Sequence, residues 1–126
     1  MILADTTIWI DFFRSGACRS EMGMLVYNHQ LVMHPYVIAE LALGSLQNRR
    51  ETLANLDCLP KILPVSLADV RLMIEARGMY AKGIGLTDAH LVASCLATPG
   101  TQLWTLDGRL GKVAESVGLR ADLPHA

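Results

Sequence analysis

Short apolar runs alternate with amphipathic stretches along the 126 residues of this chain. Three apolar runs predict buried strands, over residues 2–5, 31–33 and 102–106, because each is short, continuous and bounded by polar or turn-forming residues. The tail from residue 120 predicts a further short edge strand. A brief extended segment, Ile62-Leu63, lies between Pro60 and Pro64.

Apolar residues at helical spacing fill most of the remaining sequence. They predict helices over residues 6–14, 21–29, 36–47, 49–58, 66–82, from 87 or 88 to about 98, and 110–117. Pro35 stands at a helix start, and Ser66 with Asp69 resembles a capping box. Pro99 and Gly118 follow two of the predicted helices and are typical of helix ends.

Strands that alternate with helices, without hairpin turns between neighbouring strands, are typical of parallel βαβ units. We therefore predict an α/β fold, a three-layer α/β/α sandwich around a short-stranded parallel sheet. The length corresponds to one domain spanning residues 1–126. The sequence contains no internal repeat and no low-complexity segment.

The composition is that of a globular protein, with 52% apolar and 18% charged residues. No apolar stretch is long enough to predict a membrane helix, and Asp5 interrupts the segment where a signal peptide would need its apolar core. The three cysteines lack paired spacing and are expected to be reduced and mostly buried. These features predict a complete cytoplasmic protein.

Four acidic residues stand among apolar or small neighbours: Asp5, Glu40, Asp88 and Asp107. Burying an isolated carboxylate is unfavourable, so four such positions suggest that a cation gathers them. A hard divalent metal ion with oxygen ligands is the simplest candidate.

The predicted topology brings these acids to one edge of the sheet. Asp5 ends the first strand, and Asp107 follows the last clear one. The carboxyl ends of parallel strands border the crevice in which ligands bind. Glu40, within the helix after the second strand, and Asp88, at a helix N-terminus, are expected to point into the same crevice.

Four motifs extend this pattern over nearly the whole chain. They are Ile-Leu-Ala-Asp-Thr-Thr-Ile-Trp at residues 2–9, Val-Ile-Ala-Glu-Leu at 37–41, Gly-Leu-Thr-Asp-Ala-His-Leu-Val-Ala at 85–93 and Trp-Thr-Leu-Asp at 104–107. Each motif is short, but the ordered set resembles the PIN-domain ribonucleases, specifically the VapC toxins of type II toxin–antitoxin systems.

This resemblance implies a catalytic site built from acids. The four residues named above, Asp5, Glu40, Asp88 and Asp107, would be catalytic acids and ligands of one or two Mg²⁺ or Mn²⁺ ions. Thr6 and Thr105 would donate hydrogen bonds that orient the carboxylates or the attacking water, although threonines at strand ends need no such role. The fourth acid of the family often acts through water.

Each acid also has an ordinary structural interpretation. Asp5 would serve as a helix cap, and Glu40 as a charge at the boundary of an amphipathic helix. Asp88 would be favourable at a helix N-terminus whatever its function, and Asp107 with Gly108 forms a common turn.

The resemblance further implies a toxin that hydrolyses RNA phosphodiester bonds as a metal-dependent endoribonuclease, leaving a 5′-phosphate and a 3′-hydroxyl. Structured RNA such as tRNA is the expected substrate. A VapB-like antitoxin, a homodimeric state and contact with operator DNA only through the antitoxin are expected, without membrane binding. Surplus apolar residues are expected in the core, in the antitoxin groove or in the homodimer interface: Phe12, Phe13, Met22, Met24, Leu25, Tyr27 and Leu46.

Charge permits a polyanionic substrate without requiring one. The net charge is −1, but eleven Lys and Arg face eight acids once the four candidate ligands are set aside, which leaves the remaining surface at about +3. Arg109 and Lys112 are candidates to hold phosphates at the crevice rim, and Arg14, Arg49, Arg50 and Lys82 would extend that track. A solvated surface explains these six equally well. The four histidines form no zinc-like pair: His29, His34, His90 and His125.

Three other functions compete with the ribonuclease. A haloacid-dehalogenase phosphatase needs Asp-x-Asp after its first strand, where this chain has Thr7. A response-regulator receiver needs a late Lys after a strand, where this chain has Asp107. A non-catalytic PIN-like module that binds antitoxin or DNA would keep its activity after Asp5→Asn.

Overall fold

The computed structural model describes residues 1–123; His125 therefore lies outside the described residues. The strands are β1 (Ile2–Ala4), β2 (Leu31–Val32) and β3 (Gln102–Trp104). The helices are α1 (Thr6–Ser15), α2 (Arg19–Tyr27), α3 (Pro35–Leu43), α4 (Arg49–Asp57), α5 (Leu67–Ala76), α6 (Leu86–Ala97) and α7 (Gly108–Ser116). The predicted α/β fold with a short-stranded parallel sheet is confirmed.

The sheet has the strand order β2-β1-β3, and both pairings are parallel. Leu3 pairs with Val32 on one side, and Ala4 pairs with Trp104 on the other. All three strands consequently end at the same edge, and the central strand places Asp5 in the middle of that edge.

The tail extends the sheet by one parallel bridge, between Leu103 and Arg120, and not by a full strand. The Leu103 amide donates to the Leu119 carbonyl at 2.7 Å, and the Ala121 amide donates to the Leu103 carbonyl at 2.9 Å. A second bridge joins Met33 to Lys61, which lies beside the predicted extended segment.

The sheet forms the centre of the core. Leu3 and Leu103, on adjacent strands, are fully buried, and so is Leu91 of α6. Both tryptophans of the chain, Trp9 of α1 and Trp104 of β3, are also buried. Removing water from such side chains stabilises the fold by about 1.5 to 3 kcal/mol each. The strand that leads to Asp5 is therefore held from both sides.

Helix α3 ends at Leu43, earlier than the predicted residue 47. Gly44 has extended backbone angles there, and the Arg49 guanidinium donates to the carbonyls of Ala42 and Gly44. A side chain from the next helix thus satisfies carbonyls at the end of α3, a contact between helices that local periodicity does not encode.

Helix α5 ends at Ala76, whereas the sequence predicted a helix to residue 82. Gly78 adopts a left-handed φ of 61°, and the Met79 amide donates to the Ile74 carbonyl at 2.9 Å. This pattern is a Schellman-type helix end, completed by burial of the Met79 side chain.

The prediction that the cysteines are mostly buried is wrong, because only one of the three is buried. Cys95 is buried in the core, Cys58 is exposed, and Cys18 is partly exposed. Within residues 1–123, no helix combines the length and apolar character needed to cross a membrane.

Candidate acidic site at the sheet edge

Asp5 is a buried carboxylate held by three hydrogen-bond donors. It is only 2% exposed and caps α1, because its Oδ1 accepts from the Ile8 amide at 3.1 Å. The Thr7 hydroxyl donates to the same oxygen at 2.5 Å, and the Thr105 hydroxyl donates to Oδ2. Burial raises the pKa of Asp5 above its usual value of 3.8, although these hydrogen bonds lower it.

Thr7 and Thr105 connect Asp5 to the loop after β3. The Thr7 oxygen accepts from the Leu106 amide at 3.0 Å, and the Thr105 oxygen accepts from the Asp107 amide at 2.9 Å. The orienting hydrogen bond predicted for Thr105 is therefore present. Thr7 was missed by the sequence interpretation, although a hydroxyl two residues after a capping Asp was a visible signal.

Thr6 performs the equivalent task for Glu40. Its hydroxyl donates to Glu40 Oε1 at 2.6 Å and so joins the start of α1 to α3. Glu40 is exposed and lines a groove of about 780 Å³ between α1, α3 and the segment that leads into α4. Phe13 and Leu46, two of the surplus apolar residues, line the same groove.

Asp107 caps α7. Its Oδ1 accepts from the amides of Arg109 at 2.8 Å and Leu110 at 3.1 Å. The predicted turn is thus the first turn of a helix, and one carboxylate oxygen of Asp107 is committed to backbone donors.

The pKa of Asp88 indicates that all four acids lie near one another. It is the third residue of α6 and is partly buried. Burial, followed by the negative charges of Asp5, Asp107 and Glu40, raises the pKa of Asp88 from 3.8 to about 6. Four carboxylates that are distant in sequence therefore share one electrostatic site at the carboxyl edge of the sheet.

The chemistry of this site fits a hard divalent cation, because all of its acidic groups are oxygen donors and they repel each other. Among residues 1–123, however, no three His, Cys, Asp or Glu side chains are grouped closely enough to hold a metal ion as they stand. Both oxygens of Asp5 and Oδ1 of Asp107 already accept hydrogen bonds from protein groups. That the acids act as ligands stays a prediction.

Two buried histidines lie against one tyrosine ring. His34, directly after Met33, is fully buried and caps α3 by accepting from the Tyr36 amide at 3.0 Å. The Tyr36 ring lies 5.2 Å from the His34 ring and 4.5 Å from the buried His90 ring, between centroids. Burial, and then the charge of His90, lowers the pKa of His34 from 6.5 to about 4.

The fold and this acidic site define a PIN domain, and the model of the PIN domain family matches residues 2–116. Two curated relatives are Ribonuclease VapC32 of Mycobacterium tuberculosis, from strains CDC 1551 / Oshkosh and ATCC 25618 / H37Rv. Each is 34% identical over 119 residues, which cover 94% of this chain and 94% of the relative. The chain therefore belongs to the VapC ribonucleases of the PIN-domain family.

Proposed function

We propose that this protein is the toxin of a toxin–antitoxin pair and acts as a Mg²⁺- or Mn²⁺-dependent endoribonuclease. The feature that supports this most is the proximity of Asp88 to three other acids, whose charges act with burial to raise the pKa of Asp88. Folding gathers these charges against electrostatic repulsion, and one or two divalent cations would relieve it. Similarity to two relatives named as ribonucleases supports RNA as the substrate.

The catalytic acids are Asp5, Glu40, Asp88 and Asp107, which would hold the metal. A bound Mg²⁺ or Mn²⁺ supplies positive charge to the phosphate oxygens and acidifies the attacking water. Thr6 and Thr105 orient Glu40 and Asp5 through the hydrogen bonds described above. The oxygen of water bonds to phosphorus, the bond from phosphorus to the 3′ oxygen breaks, and a proton passes to that oxygen. The products carry a 5′-phosphate and a 3′-hydroxyl.

The substrate and partners proposed here follow from family membership. Structured RNA such as tRNA is the substrate, cleaved in the cytoplasm by a homodimer of chains that each form one PIN domain over residues 1–126. The groove beside Glu40 accepts a segment of a VapB-like antitoxin, because Phe13 and Leu46 offer apolar contacts next to an acidic side chain. Operator DNA is contacted only through the antitoxin.

The deciding experiment is cleavage of total cellular RNA by purified, antitoxin-free protein with Mg²⁺ or Mn²⁺ and with EDTA. Asp88→Asn and Asp5→Asn should abolish discrete, metal-dependent fragments. Asp11→Asn is the matched control, because Asp11 lies in α1, the helix that Asp5 caps, and is not among the groups that shift the pKa of Asp5 or Asp88. It should cleave like the natural chain.

The competing function is a non-catalytic module that binds antitoxin or DNA. It is favoured by the fact that Asp5 and Asp107 both cap helices, a role that needs no metal. Under this alternative, metal-loaded protein would leave RNA intact, or the Asp88→Asn variant would cleave as well as the natural chain. Either result would refute the nuclease.

A further inference from the structure

Arg109 lies directly against the backbone of Gly83. A β-carbon built on Gly83 would stand 2.8 Å from Arg109 Cδ and 3.2 Å from both Nε and Nη1. Gly83 belongs to the loop between α5 and α6 and has a left-handed φ of 79°. The Arg109 side chain therefore reaches from the first turn of α7 to the loop that precedes Asp88, and only a glycine leaves room for it there.

The Arg109 side chain is not neutralised by a protein carboxylate. The ion pair found within residues 1–123 joins Arg120 to Glu115. Arg109 forms none, although Asp107 is two residues away and binds the Arg109 amide. Its stem instead lies along the Gly83 backbone, while Arg109 as a whole remains exposed. An exposed guanidinium with a positioned stem has donors available for an anion from solution.

An RNA strand that binds here needs a positively charged group at the border of the acidic site. The four acids repel the phosphates of any RNA strand that approaches, and Arg109 follows Asp107 at the border of that site. Lys82, which precedes Gly83, and Lys112, one turn after Arg109, are exposed on the same two segments. A guanidinium matches two phosphate oxygens at once, whereas the ammonium groups act as single charges.

We propose that Arg109 binds a backbone phosphate of the RNA next to the cleaved bond, and that Gly83 positions it by lacking a side chain. This inference rests on the proposed nuclease function and adds a binding group to it. It assigns Arg109 to substrate binding and Gly83 to a positioning role, with no part in the chemical step.

The first test is the salt dependence of kcat/KM for cleavage of bulk tRNA with Mn²⁺. The slope of log(kcat/KM) against log[salt] is negative, and loss of one phosphate contact reduces its steepness by roughly 0.7 to 0.9. Arg109→Gln should show that decrease and raise KM on the order of tenfold, with little change in kcat. Arg109→Lys should restore the slope and part of KM, since it restores the charge without the bidentate geometry.

The second test uses two glycines of one loop. Gly83→Ala should displace Arg109 and raise KM, whereas Gly78→Ala also places an alanine in the left-handed region, at φ of 61°, but with no atom within 4 Å of the new β-carbon. Gly78→Ala should leave KM unchanged. In an Arg109→Gln background, Gly83→Ala should add no further increase in KM, because the group it displaces is already absent.

The outcomes separate this inference from the function on which it rests. A natural chain that cleaves neither tRNA nor total RNA refutes the nuclease. A natural chain that cleaves tRNA, with an unchanged salt slope and KM in Arg109→Gln, refutes the phosphate contact alone. Equal KM increases in Gly83→Ala and Gly78→Ala, or additive effects in the double variant, refute the positioning role of Gly83.

Discussion

The Thr105 hydroxyl donates a hydrogen bond to Asp5 Oδ2, and Thr105 Oγ1 itself accepts from the Asp107 amide at 2.9 Å. One side chain therefore fixes two of the four acids relative to each other. Because Asp5 and Thr105 are both buried, this link operates where water cannot replace a missing partner.

Thr105→Val should lower both stability and activity, because it leaves an oxygen of Asp5 and the Asp107 amide without their partner. We expect the free energy of unfolding to fall by about 1 to 3 kcal/mol in urea denaturation. The rate of RNA cleavage should fall about ten- to a hundredfold as the acids shift, and Thr105→Ser should retain most of both.

Thr101→Val is the control for that substitution. Thr101 is equally buried, at 3% exposure, but its hydroxyl has no hydrogen-bond partner among the described residues. Its replacement should leave stability unchanged or raise it. Equal losses from the two valine variants would contradict the role given to Thr105.

Asp88→Asn should stabilise the metal-free protein at neutral pH. A carboxyl whose pKa is raised from 3.8 to about 6 on folding favours the folded state below pH 3.8, and this contribution is lost as pH rises through 6. The Tm of Asp88→Asn in EDTA should therefore exceed that of the natural chain at pH 7.5, and the difference should shrink toward pH 4.

Asp69→Asn provides a matched comparison, because Asp69 occupies the same third position of α5 but is exposed. Loss of a favourable helix N-terminal charge should lower its Tm slightly at pH 7.5. A decrease of Tm in Asp88→Asn at this pH would show that the crowding of acids does not destabilise the fold.

Divalent metal should raise the Tm of the natural chain, and this increase in Tm should become smaller as the pH falls. Protons compete with the cation once pH falls below about 6, where Asp88 becomes protonated. Thermal unfolding with Mn²⁺ or EDTA between pH 5 and 8 measures this. The Tm of Asp11→Asn should rise with Mn²⁺ as much as that of the natural chain, and the Tm of Asp88→Asn should rise only weakly. An equal rise in both variants would show that the metal binds elsewhere.

His34 should make the fold less stable as the pH falls, which is the opposite of the effect of Asp88. Its pKa is lowered from 6.5 to about 4 by burial and then by the charge of His90, so its contribution to stability is complete above 6.5 and is lost as pH falls through 4. His34→Asn keeps an acceptor for the Tyr36 amide but does not titrate. The decrease of Tm between pH 6.5 and 4 should be smaller in this variant.

The exposed His29 offers the control, because its positive φ of 55° suits asparagine. His29→Asn should retain the full acid sensitivity of the natural chain. If His34→Asn also retains it, the acid sensitivity arises from other groups.

The existence of most strands and helices followed from periodicity, because each depends on a local pattern of apolar residues. The helix ends did not. The carbonyls at the end of α3 are bound by Arg49, and the end of α5 requires Gly78 in a left-handed conformation with Met79 buried. Leu46 and Met79 continued the apolar spacing, so the pattern favoured longer helices than tertiary contacts permit.

The acidic site likewise combines features that the sequence predicts with features that depend on tertiary contacts. The positions of its acids relative to the strand ends predicted a shared edge, and the pKa of Asp88 reflects that proximity. The link from Thr7 to the Leu106 amide could not be predicted, because the two residues are 99 positions apart in the sequence. His34 and His90 likewise looked scattered: His34 is close to Tyr36 in sequence, but only the approach of α6 brings the His90 ring against Tyr36.

The burial of both tryptophans has an optical consequence. Trp9 is packed against Phe12 and Phe13, and the Trp104 carbonyl accepts the Asp5 amide at 3.0 Å. Indoles sheltered from water emit at shorter wavelength than hydrated ones. The intrinsic fluorescence of the folded chain should therefore be blue-shifted, and its red shift on denaturation would follow, without any added dye, the loss of the strand that leads into Thr105 and Asp107.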